Sequence, residues 1–385
     1  MVQIIIMEIT MKERKELLKR IEEIRQSRLI VYFTSDRSGP LAARIAPDAV
    51  RPLYDHLLSM DKVKRLDLFL YSVGGDVSVP WRIVSMFREF CEEFSVLLPY
   101  KAYSAATLLS LGADKIVMGR KAELGPIDPY LERTPLEMIS VEDVKSYISF
   151  IKEKVNIHDQ SALAEIVSLL ANNVDPKTLG GIYRADSHIK LVARKLLTSR
   201  KEKMEEGKVG TIVETLTEKI YSHGHGISRS EAMEMGLPIE KPSTELEEAL
   251  WNLYLQYEDM LKLCEPLDPE LILGEKEETI ESLSLAIIES REKLHVFDIK
   301  VEFKRRRQIP QNLQINLNLV LNLPPNIKPE DIPEEARKSI EQLLNELSTK
   351  IKPIVEQEIR RQSPEIDIVI KPFGGMWREI KEEVI

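Results

Sequence analysis

An α/β fold follows from three features of the sequence. Short apolar runs of strand length alternate with 3.6-residue-periodic segments from residue 29 to about 130. Small residues and glycines stand at the ends of those runs, and a helical stretch follows them. Beyond Val296 the period changes to two, which marks a separate C-terminal α+β unit.

The apolar opening, residues 2–9, reads as a strand and leads into a charged helix, Met11 to Arg28, with Leu17, Leu18, Ile21 and Ile24 on one face. Leu29 to Phe33 is a buried strand, and Asp48 to Met60 a helix with Val50, Leu53, Leu57 and Leu58 on its apolar face. Leu66 to Tyr71 is the next strand and ends at Gly74 and Gly75. Val79 to Phe94 reads as a helix, Ser95 to Pro99 as a strand, Ala105 to Leu111 as a small-residue helix and Lys115 to Met118 as a strand. Helices are expected over Val141 to Lys154, Gln160 to Asn172, Ser187 to Arg200, Val209 to Ser222 and Thr244 to Leu263, and again over Glu277 to Arg291. Val296 to Phe303 and the alternating Leu313 to Leu323 are strands, Pro333 to Arg361 is a long helix, and Ile366 to Ile370 closes the chain. This divides the protein into an N-terminal strand and helix (1–28) suited to oligomerisation, a catalytic domain (29–242), and a helical linker with the C-terminal unit (243–385).

The chain has 385 residues, 43% hydrophobic and 30% charged, an ordinary globular composition. A net charge of -9 argues against a nucleic-acid partner. The exception, the basic run Lys304 to Arg307, reads better as a solvated strand end. Two cysteines, Cys91 and Cys264, make neither a disulfide framework nor a metal cluster, so buried reduced thiols in a cytoplasmic protein are expected. No segment has the length of a membrane span. Membrane contact through the apolar opening is the lesser alternative.

Three segments carry the chemistry. Gly74 and Gly75 let backbone amides approach a ligand, and an amide there can stabilise an oxyanion. Ser104 stands between a strand and a short helix, where it is either an N-cap or a nucleophile with the Ala105 amide as oxyanion donor. Ala122 to Pro129 is a turn in which Gly125 and Asp128, with Gly74, are expected to line a peptide groove. In this order the segments resemble the Clp protease and signal peptide peptidase A superfamily, within the crotonase-like folds. The nearest likeness is to the serine dehydrogenase proteinases. Gly74 and Gly75 resemble the first oxyanion loop, Ser104 followed by Ala105 and Ala106 the nucleophile, and Gly112 to Gly119 the strand after it. The resemblance spans residues 29–130 best, and implies a ClpP/crotonase-like spiral of β-β-α units, frequent homo-oligomers, and acyl-enzyme hydrolysis of a peptide or protein substrate.

A base must activate the serine. Clp proteases place a histidine in a segment that here, at Gly125 to Pro129, has none. Signal peptide peptidases use a downstream lysine, which points to Lys145, with Lys152, Lys154 and His158 as alternatives. A lysine base must be partly neutral, which burial promotes. His223 and His225 lack the companions of a metal site, and Ser228 with Glu231 reads as a capping box. Neither a Rossmann nor a Walker pattern occurs, so no cofactor is expected despite the family's name. The reading is a Ser-Lys peptidase with Ser104, Lys145 and the amides of Gly75 and Ala105. The alternatives are a non-catalytic oligomeric scaffold of the same fold and a crotonase-like acyl-thioester enzyme.

Overall fold

The computed structural model describes residues 2–127, 130–134, 137–220, 224–308, 319, 322 and 332–381. The chain begins with helix α1 (Val2–Arg25), followed by β1 (Arg28–Thr34), α2 (Val50–Met60), β2 (Val63–Tyr71), α3 (Val79–Phe90), β3 (Cys91–Leu98), β4 (Lys101–Ala102), α4 (Ala105–Leu111), β5 (Lys115–Met118) and β6 (Glu123–Leu124). Next come β7 (Tyr130–Thr134), β8 (Glu137–Ser140), α5 (Val141–Glu153), α6 (Gln160–Asn173), α7 (Pro176–Thr198), α8 (Glu206–Glu214), β9 (Ile227–Ser228), α9 (Arg229–Glu234), β10 (Ile239–Glu240) and α10 (Thr244–Met260). The remaining elements are α11 (Pro269–Leu273), β11 (Glu278–Glu289), β12 (Leu294–Arg307), α12 (Glu334–Gln362) and β13 (Glu365–Glu379).

The main sheet has the order β10-β5-β3-β2-β1-β11-β12-β13. The first five strands run parallel, and β11 joins β1 antiparallel. The apolar runs are continuous because both faces of these strands are buried. On β1, Ile30 and Tyr32 enter one core, together with α2, α3, α4, α7 and α8 residues, while Leu29, Val31 and Phe33 enter the other, against α1 and α10. β2 divides in the same way, Leu68 and Leu70 to one core and Phe69 and Tyr71 to the other.

Several expectations are corrected. The apolar opening belongs to α1 and is helical, not a strand. The second half of the expected helix from Val79 to Phe94 is β3, which starts at Cys91. Burial pushes the Cys91 thiol up to about 12, whereas Cys264 is exposed. Residues 278–289 form a strand because Leu285 to Ile288 are apolar and buried in succession, as in a sheet interior. The alternating run from Leu313 to Leu323 falls largely outside the described residues, and Pro353 lies inside a continuous α12.

The boundary at residue 242 also moves. One compact unit comprises residues 1–266, 284–299 and 375–385, and a second comprises 267–283 and 300–374. The first 28 residues are not separate either, since Leu18 and Ile21 of α1 are fully buried in the core with α10. Residues 284–299 join the first unit through buried polar contacts as well as strand pairing. Glu289 is fully buried, and accepts from Arg14 Nε at 2.8 Å and from the Tyr257 hydroxyl at 2.7 Å. In the second unit the basic run is neutralised: Lys304 pairs with Glu278, Arg305 with Glu270 and Glu365, Arg306 with Asp367, and Arg307 with Glu277.

A buried chain of polar groups clamps α2 to the turn between β11 and β12. His56 Nδ1 lies 2.8 Å from Ser290 Oγ and its Nε2 lies 3.1 Å from His295 Nδ1. Two neutral imidazoles can share the second contact as donor and acceptor, but two imidazolium rings cannot. Burial, then His295 and Lys293, lower the His56 pKa to about 3; burial lowers that of His295 as well, against the pull of Glu379 and Asp55. With folded pKa values below the unfolded one, the unfolded chain binds more protons. The contribution to stability is therefore complete above about pH 6.5 and is lost as pH falls towards about 3. Denaturant titrations at pH 8, 6, 5 and 4 should show a loss of a few kcal/mol through this window that is smaller in His56→Gln. Equal pH dependence in the two proteins would refute the clamp.

Candidate active site

Ser72, at the end of β2, hydrogen bonds through its backbone to Lys101 and Tyr103, setting the glycine loop beside the turn that carries Ser104. The Gly74 amide donates to Ser72 Oγ at 3.1 Å, and that hydroxyl accepts from Thr34 Oγ1 at 2.9 Å. Ile45 grips the loop from the other side: its amide donates to the Gly74 carbonyl and its carbonyl accepts from Asp76, both at 2.8 Å. Both glycines are required. Gly74 has φ +103°, and an added Cβ would stand 2.7 Å from Ser104 Cβ and 2.8 Å from the Tyr103 carbonyl oxygen. Gly75 has φ +155°, and a Cβ there would stand 2.1 Å from the Ile45 carbonyl oxygen.

Ser104 occupies a sharp turn between β4 and α4. Its φ of 51° and ψ of -113° lie where glycine is usual, and the Ala106 amide closes the turn on the Tyr103 carbonyl at 2.9 Å. Such a conformation costs on the order of 1–3 kcal/mol for a residue with a Cβ, and is retained where surrounding structure enforces it. Although Ser104 stands at the N-cap position of α4, its hydroxyl makes no capping bond. Ser104 is half-buried, and its Oγ has no hydrogen-bond partner among the described residues. The amides of Gly75 and Ala105 likewise donate to no acceptor among the described residues. A serine hydroxyl can act as a weak nucleophile, and backbone amides without acceptors among the described residues can stabilise an oxyanion.

Thr107, not singled out from the sequence, secures the turn from below. Its Oγ1 donates to the Ala102 carbonyl at 2.7 Å and lies 2.8 Å from the Gly125 carbonyl oxygen, while the Gly125 amide meets Thr107 Oγ1 at 3.2 Å. Ser72, Ile45 and Thr107 gave little signal beforehand, because each acts through partners distant in sequence. The signal that could have found Thr107 is a polar side chain within an apolar helix, one it shares with Ser110.

Of the expected groove residues, two glycines are described. Gly74 and Gly125 are buried, and a Cβ on Gly125 would stand 2.8 Å from the Tyr103 ring. Asp128 and His223 lie outside the described residues. His225 meets Glu231, and Ser228 caps α9 as expected by accepting from the Glu231 amide.

No candidate base is shown beside Ser104. Lys145 Nζ is held by Asp186 at 3.1 Å, Glu218 at 3.3 Å and Glu142 at 3.4 Å. Burial pushes its pKa down, but these carboxylates outweigh it and the net shift is upward, the reverse of what a neutral amine base needs. Lys190 shares Asp186 and Glu218, and its pKa is also raised. Lys152 and Lys154 are exposed, and His158, exposed as well, meets Asn156 Oδ1 at 3.0 Å.

Comparison with known proteins bears on this geometry. The family described as ClpP-like SDH-type serine proteinase matches residues 1–267. Two uncharacterized proteins of Methanocaldococcus jannaschii are similar. One is 29% identical over 195 residues, which are 51% of this chain and 60% of the relative. The other is 22% identical over 191 residues, 50% of this chain and 57% of the relative. The chain thus spans well over half, but less than two thirds, of the length of each of these relatives.

The strained turn makes a measurable prediction. Because Oγ has no hydrogen-bond partner among the described residues, Ser104→Ala should change unfolding free energy by less than about 0.5 kcal/mol. Ser104→Gly should raise it by about 1 kcal/mol, since relief of strain exceeds the added chain entropy. A loss of about 1 kcal/mol or more in Ser104→Ala would instead reveal a structural hydroxyl.

Proposed function

The chain belongs to the ClpP-like SDH-type serine proteinase family, and from that premise we propose that it hydrolyses peptide bonds through an acyl-enzyme on Ser104. The supporting observation is the turn itself: Ser104 at φ 51°, packed against Gly74, with its hydroxyl and the amides of Gly75 and Ala105 all without hydrogen-bond partners among the described residues. In this reading Oγ attacks the substrate carbonyl and passes its proton to the base. The two amides receive the developing oxyanion, the amine leaves, and water releases the acyl group. The succession β3, β4, α4, β5, β6 supports the spiral of β-β-α units, in which a main-sheet strand is each time followed by a two-residue strand of the small sheet β4-β6-β9.

Lys145 enters this mechanism as base only on leaving its three carboxylates. The pH profile of kcat/KM distinguishes the cases. With Lys145 as base and its pKa raised, the rate rises into the ordinary lysine range, beyond about pH 10, and Lys145→Ala is inactive. A base titrating near neutrality gives a plateau by about pH 8 and an active Lys145→Ala. The lack of a base at Oγ among the described residues also favours a second reading, a non-catalytic member of the fold. A fluorophosphonate reagent should label Ser104 in the enzyme and leave Ser104→Ala unlabelled; peptide hydrolysis should fall by at least about a thousandfold in that variant. Absence of labelling and hydrolysis in the wild type would favour the scaffold.

We also propose self-association. α6 buries none of its residues, and Val167 and Leu169 on it are 47% and 55% exposed. Light scattering should give a mass above 44.2 kDa, reduced by Val167→Glu with Leu169→Glu. A monomer at all working concentrations would refute it.

A further inference from the structure

A cleft of about 730 Å³ lies beyond the C-terminal end of α4, lined by residues 200–204 together with Lys115, Lys208, Gly236 and the adjoining strand ends. Arg200 is 6% exposed and lines this cleft. Its Nε donates to the Leu111 carbonyl at 3.1 Å, but its Nη2 is buried without a hydrogen-bond partner among the described residues. A buried guanidinium nitrogen left unpaired is costly and rare, which calls for an acceptor at this place. Burial pushes the Arg200 pKa down to about 10, so the group stays charged at neutral pH.

The surrounding charges point to the sign of that acceptor. Lys201, Lys203 and Lys208 line the cleft, and their side chains make no ion pair among the described residues. Most of the acids nearby are neutralised. Asp114 is paired with Arg88, Glu240 with Arg25, and Glu93 with Arg65 and Lys115. Glu202 is the one carboxylate lining the cleft without such a partner among the described residues. Gly236, at φ +84°, leaves room for Lys208 to lie over it, since an added Cβ would stand 2.1 Å from Lys208 Cε. Four cations facing one unneutralised carboxylate, in a concavity sized for a small molecule, favour an anion with several charged oxygens.

We propose that this cleft binds a phosphate-bearing small molecule carrying two or more negative charges, with Arg200, Lys203 and Lys208 as its contacts. The site is distinct from Ser104, which stands at the other end of α4.

Calorimetric titration of the full chain with inorganic phosphate, pyrophosphate and ATP tests this. At constant ionic strength pyrophosphate should bind saturably and more tightly than inorganic phosphate; ATP binding tighter still would identify a nucleotide rather than a free polyphosphate. The double variant Lys203→Ala with Lys208→Ala, altered only at exposed side chains, should weaken pyrophosphate binding by on the order of tenfold or more. Arg200→Lys keeps the charge but loses the fork, and should weaken it similarly, while Ser104→Ala should bind like the wild type. No saturable binding by any of the three compounds at up to about 10 mM would overturn the proposal. So would affinity unchanged in the double variant.

Discussion

The close approach of Gly74 to Ser104 governs the site. With no room for a Cβ at position 74, the glycine loop can pass directly under the serine turn, and the turn in turn is forced into a conformation that serine resists. The pressure comes from both sides. Ile45 fixes the glycine loop through two backbone bonds, and Thr107 fixes the floor of the turn through contacts to Ala102 and Gly125. A hydroxyl displayed in this way remains available to a substrate, because the local backbone offers it no partner.

In the proposed mechanism, electrostatics separate the oxyanion part of the site from the base. Two backbone amides need no titration and serve at any pH, so their placement is purely geometric. A lysine base needs a depressed pKa, and the cluster of Lys145 and Lys190 with Asp186, Glu218 and Glu142 works against that. Asp186 and Glu218 are correspondingly held below the usual carboxylate range. This arrangement ties α5, α7 and the turn after α8 together, an adequate structural reason for Lys145 to be where it is.

What the sequence disclosed followed from local chemistry. Continuous apolar runs marked β1, β2 and β5, and the glycine pair and small residues around Ser104 marked the turn. The base expectation rested on chain distance, which says nothing of the carboxylates that three different segments bring to Lys145. The tail failed for a similar reason. Residues 278–289 carry enough apolar and charged residues for a helix, and it is their place between β1, far away in sequence, and β12 that makes them a strand. Glu289 illustrates the difficulty: a charged residue at the end of an apparent surface helix is in fact fully buried, held by Arg14 and Tyr257.

The seven residues of α4 are all buried, yet a helix of this length is not stable by itself. Its position must come from its ends and its surroundings. At the N-terminal end, Thr107 and the serine turn set the depth of insertion. At the C-terminal end, carbonyls that an isolated helix would leave unpaired are met by cations, Leu111 by Arg200 and Gly112 by Arg88. Arg88 is itself oriented by Asp114, which also accepts from the amides of Phe94 and Lys201. The direction of the Ala105 amide therefore depends on a chain of contacts that runs the length of the helix. Charged groups remote from the serine belong to the physical definition of the site.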